Sequence, residues 1–221
     1  MKIDISLYQH FSFDLWLTLI RSNPLYKRKR DELLKDFFSV SLSLEQVQAV
    51  VRYYDVLSNK IGETTGVHFD RNAIYLLILN QLGVDMANVR NDKVLEFCQI
   101  SEELFFEYKP VLVYPEIHHT MKEINIHGKT MSIMSNTGFI YGKTLRQILD
   151  HYELTPFFSF QLYSDETGYS KPNKEMFELT YKKISAFKTI TRRDIVHIGD
   201  SETADLAGAR NIGFQSVLIN N

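Results

Sequence analysis

The sequence predicts an α/β fold in which a parallel sheet carries a helical insertion. Between about residues 24 and 109 the apolar residues recur with a helical period, and no convincing strand interrupts them. After residue 109, short β-type runs alternate with helical segments, which is typical of a parallel sheet with right-handed crossovers. A further β-type run at residues 10–14 precedes the helical stretch. We therefore expect a five-stranded parallel sheet with an all-helical cap domain inserted after its first strand.

Size and composition fit this architecture. The chain has 221 residues, of which 44% are hydrophobic and 24% are charged, which suits one large domain or one domain with a sizeable insertion. A formal net charge of −2 predicts no strong attraction to nucleic acid or anionic membranes. The single cysteine, Cys98, excludes an internal disulfide framework, and we interpret it as a buried apolar residue. The sequence shows no secretion signal, and the apolar run around YLLIL (75–79) is far too short to span a bilayer, so a cytoplasmic protein is expected.

The helical stretch contains segments with recognisable ends. Ser43 and Gln46 are spaced as a capping box at the start of one helix. Asp70 is placed to cap the next, which carries the run IYLLIL and should end at Gly83. A further helix is predicted from about residue 91 to residue 107.

Strands and helices follow one another in the last half of the chain. Strands are predicted at residues 130–136, 160–164, 194–200 and 215–219, and helices at 115–127, 141–151, from Pro172 onward, and 202–211.

These patterns divide the chain into two predicted domains. Residues 1–20 and 110–221 form the α/β core, and residues 21–109 form the cap. Hinges are expected near residues 19–24 and 108–113, where the insertion leaves and rejoins the core. A cap attached in this way would act as a lid that excludes water from a site beneath it.

Polar residues follow several of the predicted strands. Asp14 ends the first strand and Asp200 ends the fourth. Ser135 and Asn136 end the second, and Lys171 lies in the loop after the third. Ligands of open parallel sheets bind outside the carboxyl ends of the strands. We therefore expect two carboxylates, a hydroxyl, an amide and an amine to meet at one edge of the sheet.

The order and spacing of these residues resemble the four motifs of the haloacid dehalogenase (HAD) superfamily of hydrolases. Asp14 in FDLWLTL, with Thr18 after it, matches the first motif, and SNTG at 135–138 matches the second. Lys171 in GYSKP matches the third, and GDSETAD at 199–205 matches the fourth. The resemblance covers nearly the whole chain and implies a Rossmann-like core with the cap between the first and second motifs.

The resemblance implies a hydrolase, above all a Mg²⁺-dependent phosphatase acting on a small phosphorylated metabolite. Asp14 would be the nucleophile and would form a covalent aspartyl-phosphate intermediate. The metal ligands would be Asp14, the backbone carbonyl of Trp16 and Asp200. Oxygen ligands of this kind suit Mg²⁺, whose charge offsets the repulsion between two anions.

The remaining motif residues receive supporting roles from the same resemblance. Ser135 and the amide of Asn136 would hold phosphoryl oxygens, and Lys171 would neutralise charge on the nucleophile and on the transferring group. Thr18 would contribute to substrate binding. Asp205 would orient Lys171 or support the metal from outside its direct ligands.

Two residues depart from the family pattern. Most HAD phosphatases have a second Asp two residues after the nucleophile, which protonates the leaving oxygen and then activates water, whereas this chain has Trp16. An indole N–H cannot act as an acid or base near neutral pH, so poor leaving groups such as alkoxides should suffer most. The Trp16 side chain would either fill space between core and cap or contact the substrate. Leu17 stands where many members have glycine, so a somewhat different loop path is expected after Asp14.

Alternatives to the phosphatase remain open. A 2-haloacid dehalogenase also has an aromatic residue at the position of Trp16 and needs no metal, but it usually lacks the acid equivalent to Asp200. A HAD-fold binding protein without turnover is a second alternative. A phosphonatase-like hydrolase would require a cap lysine, and the candidates are Lys27, Lys29, Lys35 and Lys60. In each case we expect a small-molecule partner, no nucleic acid or membrane partner, and a monomer or homodimer.

Two charged or titratable clusters lie outside the motifs. The run YKRKR (26–30) is interpreted as a solvated helix face. Alternatively, one or two of its residues contact an anionic substrate when the cap closes. His118 and His119 have no carboxylate or cysteine at ligand spacing, so we interpret them as structural.

Overall fold

The structure, a computed structural model, describes residues 4–219. Its central sheet consists of β1 (His10–Phe13), β4 (Thr130–Ser135), β5 (Phe160–Tyr163), β6 (Ile195–Gly199) and β7 (Gln215–Leu218). The strand order is β5-β4-β1-β6-β7, and every neighbouring pair is parallel. The predicted five-stranded parallel sheet is therefore confirmed. Two short strands, β2 (Ile20–Arg21) and β3 (Val111–Leu112), pair with each other in antiparallel fashion.

Helices surround the sheet and fill the insertion. They are α1 (Pro24–Phe37), α2 (Leu44–Thr65), α3 (Arg71–Gln81), α4 (Asn91–Glu107), α5 (Ile117–Ile126), α6 (Gly142–His151), α7 (Ser164–Thr167), α8 (Lys174–Ser185) and α9 (Gly208–Asn211), the last preceded by a π-helix (Glu202–Ala207). All residues between β2 and β3 that form regular structure are helical, as predicted for the insertion. Within residues 4–219, no helix has the length and hydropathy of a membrane span.

The register of the sheet brings the strand ends to one edge. Phe13 of β1 pairs with Ile133 of β4 on one side and with Ile198 of β6 on the other. The backbone N–H of Asp14 continues this ladder with a hydrogen bond of 2.9 Å to the Ile198 carbonyl. Because parallel strands in register finish together, Asp14 emerges beside the residues that follow β4 and β6.

The inserted helices pack around an apolar core of their own. Buried residues from each helix contribute to it, including Leu34 of α1, Val47 of α2, Ile78 of α3 and Phe97 of α4. Phe139, from the loop after β4, joins the same cluster and so links the insertion to the α/β core. The division of the chain at residues 20/21 and 109/110 stays a prediction.

Local signals in the insertion produce the expected helix starts. The Gln46 N–H donates to the Ser43 hydroxyl at 3.3 Å, and the Ser43 N–H donates to Oε1 of Gln46 at 3.0 Å, which completes a capping box. Oδ1 of Asp70 accepts the N–H of Asn72 at 2.8 Å at the start of α3. These predictions are confirmed.

The two chain segments that connect the core with the insertion pair with each other. Ile20 pairs with Leu112 and Arg21 with Val111 in the β2–β3 ribbon. The Val113 N–H also donates to the Leu19 carbonyl at 2.9 Å. The ribbon thus coincides with the expected hinge segments, whose movement remains a prediction.

Three expectations from the sequence need correction. The helix predicted from Pro172 starts at Lys174, because the Asn173 side chain caps it by accepting the N–H of Glu175. The helix predicted over 202–211 begins as a π-helix and becomes α-helical only at Gly208. The YKRKR run is not uniformly solvated, since Arg30 is only 6% exposed.

The end of α6 generates a stability prediction. Glu153 has φ 53° just past α6, and Gly128 has φ 68° just past α5. A non-glycine residue in this left-handed region lowers the free energy of unfolding by about 1–2 kcal/mol. Glycine avoids this cost, but its greater conformational freedom in the unfolded chain lowers the free energy of unfolding by about 0.4–1 kcal/mol. Glu153→Gly should therefore raise the free energy of unfolding by about 0.5–1 kcal/mol in urea titrations.

Gly128→Ala provides the matched control for that substitution. A Cβ at Gly128 would meet no atom within 4 Å, so only the backbone conformation is tested. We expect Gly128→Ala to destabilise the protein by a similar amount. Lower stability of the Glu153→Gly variant would contradict this account of the helix ends.

Candidate active site

The strand ends open into a cavity of about 310 Å³ between the sheet and the inserted helices. From the α/β core it is lined by Asp14, Trp16, Asn136, Lys171, Asp200 and Asp205, among others. From the insertion it is lined by residues of α1, α2, α3 and α4, including Lys27, Arg30 and Glu63. The structure therefore brings together most of the residues that the four motifs had singled out.

Lys171 lies between two carboxylates. Its Nζ donates to Oδ1 of Asp14 at 2.7 Å and to Oδ1 of Asp205 at 2.6 Å. The side chain is only 2% exposed. Burial alone would lower the pKa of Lys171, but the two carboxylates outweigh it and raise that pKa above its usual range. Lys171 is thus a fixed positive charge beside Asp14.

Asp14 is buried and held on both oxygens. Oδ1 accepts from Lys171, and Oδ2 accepts from the Thr18 hydroxyl at 3.1 Å. Burial raises the pKa of Asp14 to about 6, and although Lys171 opposes the rise, the charge of Asp205 adds to it. At neutral pH the group is still largely ionised, as a nucleophile must be.

Asp205 is fixed by protein donors on both of its oxygens. Besides Lys171, Oδ1 accepts from Nε2 of His197 at 2.9 Å, and Oδ2 accepts the N–H of Ser201 at 3.0 Å. An ionised carboxylate only accepts, so Nε2 of His197 donates to it, while Nδ1 lies 2.9 Å from the Ser12 hydroxyl. Burial alone would raise the pKa of Asp205, but Lys171 and His197 hold it well below its usual range.

His197 and Ser12 were not identified from the sequence. Both are fully buried within the sheet, on neighbouring strands in the register that pairs them. The available signal was a polar residue in an otherwise apolar strand, such as the His in IVHIG. Such a residue requires a hydrogen-bond partner inside the protein.

The spacing of GDSETAD has a steric reason. The N–H of Leu206 donates to the Ser201 carbonyl at 3.2 Å, the five-residue step of a π-turn. Asp205 lies in this wider turn, and its side chain packs against Gly199 at the end of β6. A Cβ on Gly199 would lie 2.2 Å from Cγ of Asp205, so only glycine leaves room for this carboxylate.

The acidic residues at the cavity fit a divalent cation. Oxygens of Asp14, Asp200 and Asp205 lie within 4.8 Å of one another. Asp205 accepts three hydrogen bonds from the protein and Asp14 accepts two, so Asp14 and Asp200 keep more free acceptor sites for a metal. In residues 4–219, no backbone N–H donates to the carbonyl of Trp16. Two carboxylates and an unused carbonyl are a donor set that Mg²⁺ accepts.

Two of the predicted residues instead position other groups. Thr18 and Ser135 are both fully buried, and neither belongs to the residues that line the cavity. Thr18 bonds to Asp14, and the Ser135 hydroxyl donates to the Asn136 carbonyl at 3.2 Å. In the structure these side chains bond within the protein because the strand ends bury them, and the expected substrate contacts of Thr18 and Ser135 stay predictions.

Asn136 reaches the cavity and also fixes the Lys171 loop. Its Oδ1 accepts the backbone N–H of Lys171 at 2.7 Å, and its Nδ2 donates to the Lys171 carbonyl at 3.0 Å. This pair of bonds holds the loop after β5 against the end of β4. The side chain of the second motif thereby determines where the lysine of the third motif lies.

Trp16 and Leu17 form the loop after Asp14. The Trp16 ring lines the cavity and packs against Phe105 of α4, with the ring centroids 6.3 Å apart. It therefore fills the seam between core and insertion and faces the cavity as well. Leu17 has φ 58°, so it takes the left-handed conformation that glycine adopts readily, at a cost of about 1–2 kcal/mol.

The basic run of α1 contributes to the opposite wall. Arg30 lines the cavity, with its guanidinium 4.7 Å from the centre of the Phe139 ring. The same guanidinium pairs with Asp31 at 2.9 Å. Among the cap lysines considered for a phosphonatase-like reaction, Lys27 is the one found in the lining of the cavity in the described part of the chain.

Comparisons with known proteins agree with this geometry. A family model described as haloacid dehalogenase-like hydrolase matches residues 12–219. Glyceraldehyde 3-phosphate phosphatase of Methanocaldococcus jannaschii is 24% identical over 209 residues, covering 94% of this chain and 82% of that protein. Ribulose-1,5-bisphosphate 5-phosphatase of Halopiger xanaduensis is 30% identical over 173 residues, covering 77% and 68%. The crystal structure of the HAD-hydrolase YfnB from Bacillus subtilis, bound to magnesium, shares the fold with a TM-score of 0.73 at 20% identity, covering 96% of this chain and 89% of that one.

Removing the Lys171 charge should destabilise the metal-free protein. Lys171→Met leaves two buried carboxylates without their shared cation, and breaking such a pair costs about 3–5 kcal/mol. Without Lys171, the pKa of Asp14 should rise further above its ordinary value of 3.8. An acid whose pKa is higher in the folded than in the unfolded state loses folded-state stability as the pH rises between the two values. The deficit should therefore be larger at pH 8 than at pH 5.

Urea titrations in EDTA at both pH values would measure this deficit. Lys174→Met, at an exposed position three residues away, is the control and should change stability by no more than about 0.5 kcal/mol. A deficit that is the same at both pH values would contradict the proposed coupling of Lys171 to Asp14.

Proposed function

Because this chain belongs to the haloacid dehalogenase-like hydrolases, we propose that it is a Mg²⁺-dependent phosphohydrolase acting on small phosphorylated metabolites. The observation that carries the proposal is the placement of Lys171 between Asp14 and Asp205, with Asp200 on the wall of the same cavity. The two curated relatives described above are named as phosphatases of small sugar phosphates, which supports the substrate class.

Asp14 would act as the nucleophile. One of its carboxylate oxygens attacks phosphorus, the bond to the leaving oxygen breaks, and an aspartyl-phosphate forms. Water then attacks phosphorus, which releases inorganic phosphate and restores the Asp14 carboxylate. Thr18 and Lys171 hold the carboxylate in one orientation, so little rearrangement is needed before attack.

Charge neutralisation would come from Lys171 and the metal. The Lys171 ammonium lies 2.7 Å from Asp14 and can offset charge on both the nucleophile and the phosphoryl oxygens. Asp14, Asp200 and the Trp16 carbonyl would hold Mg²⁺, which supplies electrostatic stabilisation to the phosphoryl oxygens when bound. Asn136 would keep Lys171 in place through its two backbone contacts.

Asp200 argues against dehalogenase chemistry. An SN2 displacement of halide by Asp14 needs no metal, and a second carboxylate nearby would then be an uncompensated negative charge. Burial, followed by the charge of Asp205, already raises the pKa of Asp200. A bound divalent cation removes this electrostatic cost, so the acidic pair is better explained by phosphoryl transfer.

The proposal predicts hydrolysis that depends on both the metal and Asp14. Wild type should hydrolyse para-nitrophenyl phosphate and acetyl phosphate with Mg²⁺ and lose this activity in EDTA. Asp14→Asn should lower kcat/KM by about 10³-fold or more, because it removes the nucleophile. Release of phosphate, followed colorimetrically, measures both effects.

Asp150→Asn is the matched control, since Asp150 is exposed at the end of α6. It should keep wild-type activity. Halide release from 2-haloacids in EDTA, without phosphate release in Mg²⁺, would instead establish the dehalogenase alternative. The absence of both phosphate release and halide release would favour a binding protein.

A further inference from the structure

The cavity requires a second acid–base group if it is to hydrolyse alkyl phosphates efficiently. An alkoxide leaving group must gain a proton, and the water that attacks the aspartyl-phosphate must lose one. Trp16, two residues after Asp14, can do neither, because its indole N–H only donates hydrogen bonds. Another side chain at the cavity would have to supply this function.

One carboxylate at the cavity has no other assigned role. The carboxylate-bearing residues that line it are Asp14, Asp55, Glu63, Asp200 and Asp205. Asp14 is the proposed nucleophile, Asp200 belongs to the proposed metal site, and both oxygens of Asp205 accept hydrogen bonds. Asp55 pairs with Arg52 at 3.2 Å. Across residues 4–219, no hydrogen bond or ion pair engages the Glu63 side chain.

The cavity-facing side of α2 includes Glu63. Ser58, Asn59, Gly62 and Glu63 all line the cavity. Residues at positions i, i+1, i+4 and i+5 lie on one face of an α-helix. Glu63 is half-buried at the last of these positions and belongs to the wall of the cavity formed by the insertion.

The end of α2 is bonded to the loop that carries Lys171. Three hydrogen bonds make the connection: the Ser170 N–H to the Gly66 carbonyl (3.0 Å), the His68 N–H to the Gly168 carbonyl (3.0 Å), and Nδ2 of Asn173 to the Gly66 carbonyl (2.9 Å). Ser170 immediately precedes Lys171 in the chain. The turn that carries Glu63 is therefore tied to the same loop that places Lys171 beside Asp14.

We propose that Glu63 is a catalytic residue, the general acid and base of this site, an inference that rests on the proposed phosphohydrolase function. As Asp14 attacks phosphorus and the bond to the leaving oxygen breaks, the Glu63 carboxyl gives its proton to that oxygen. In the second step the Glu63 carboxylate takes a proton from water, whose oxygen attacks phosphorus while the bond to Asp14 breaks. Each step leaves Glu63 in the protonation state that the other requires.

The dependence on the leaving group tests this proposal. Glu63→Gln keeps the size of the side chain and removes the proton transfer. Its kcat/KM on glycerol 3-phosphate, an alkyl ester, reports the first step and should fall by about 10²–10⁴-fold. Its kcat/KM on para-nitrophenyl phosphate and acetyl phosphate should change by less than about threefold, because those leaving groups need little protonation, while its kcat should fall on all three substrates, because they share the second step. Glu45→Gln, the same change at an exposed position at the start of α2, is the control and should behave as wild type.

A second variant restores the missing group from the other side of the cavity. In the Glu63→Gln background, Trp16→Asp returns a carboxyl to the position two residues after the nucleophile. Recovery of kcat/KM on glycerol 3-phosphate by tenfold or more, with little change in kcat/KM on acetyl phosphate, would support a proton-transfer role for Glu63.

Three results would overturn the assignment of Glu63. One is an equal loss of kcat/KM on all three substrates with a raised Mg²⁺ requirement, which would indicate a role in the metal site. Another is no loss on any substrate. The third is a wild-type enzyme that cleaves only the activated esters. If wild type cleaves none of the three phosphates through Asp14, the proposed function itself fails, which distinguishes the two failures.

Discussion

The bridging of Asp14 and Asp205 by Lys171 is the interaction on which the rest of the site depends. A lysine that is 2% exposed keeps its charge only when carboxylates surround it. Each partner in turn needs further support: Asp205 from His197 and the Ser201 N–H, and Asp14 from Thr18. The buried ammonium group of Lys171 is therefore stabilised by a network of contacts that connects the loop after β5 with β1 and β6.

The same lysine loop also determines how the insertion meets the core. On the side of the core, Asn136 accepts the backbone N–H of Lys171. On the side of the insertion, the carbonyl of Gly66 at the end of α2 accepts the N–H of Ser170. Arg30 adds a second contact by lying over the ring of Phe139. Because catalytic and inter-segment contacts share one loop, displacement of the insertion would be felt at Lys171.

Local patterns allowed much of this to be predicted. The alternation of strands and helices after residue 109, the Ser43–Gln46 capping box and the Asp70 cap depend on neighbouring residues alone, and all are present. The strand-end rule also placed Asp14, Lys171 and Asp200 around one cavity. These features required no knowledge of distant contacts.

The features that could not be predicted from the sequence depend on contacts between residues that are distant in the chain. Arg30 lies in a basic run that resembles an exposed helix face, and its burial follows from Phe139 and Asp31, one of them far away in the chain. Thr18 and Ser135 have side chains suited to substrate, yet the strand ends bury them. Glu63 carries no motif at all, and only the docking of α2 beside the Lys171 loop brings it to the cavity.

If the acid–base group lies on the insertion, proton transfer depends on where the insertion stands relative to the core. A carboxyl two residues after the nucleophile moves with the core, so it is present whether or not the insertion covers the site. Glu63 would instead reach the substrate only while the end of α2 is bonded to the Lys171 loop. Proton transfer to an alkoxide would then be confined to the covered state, in which bulk water is excluded and the charges around Asp14 interact most strongly. Trp16, packed against Phe105 at the seam, would help to seal that state in place of the carboxyl it displaces.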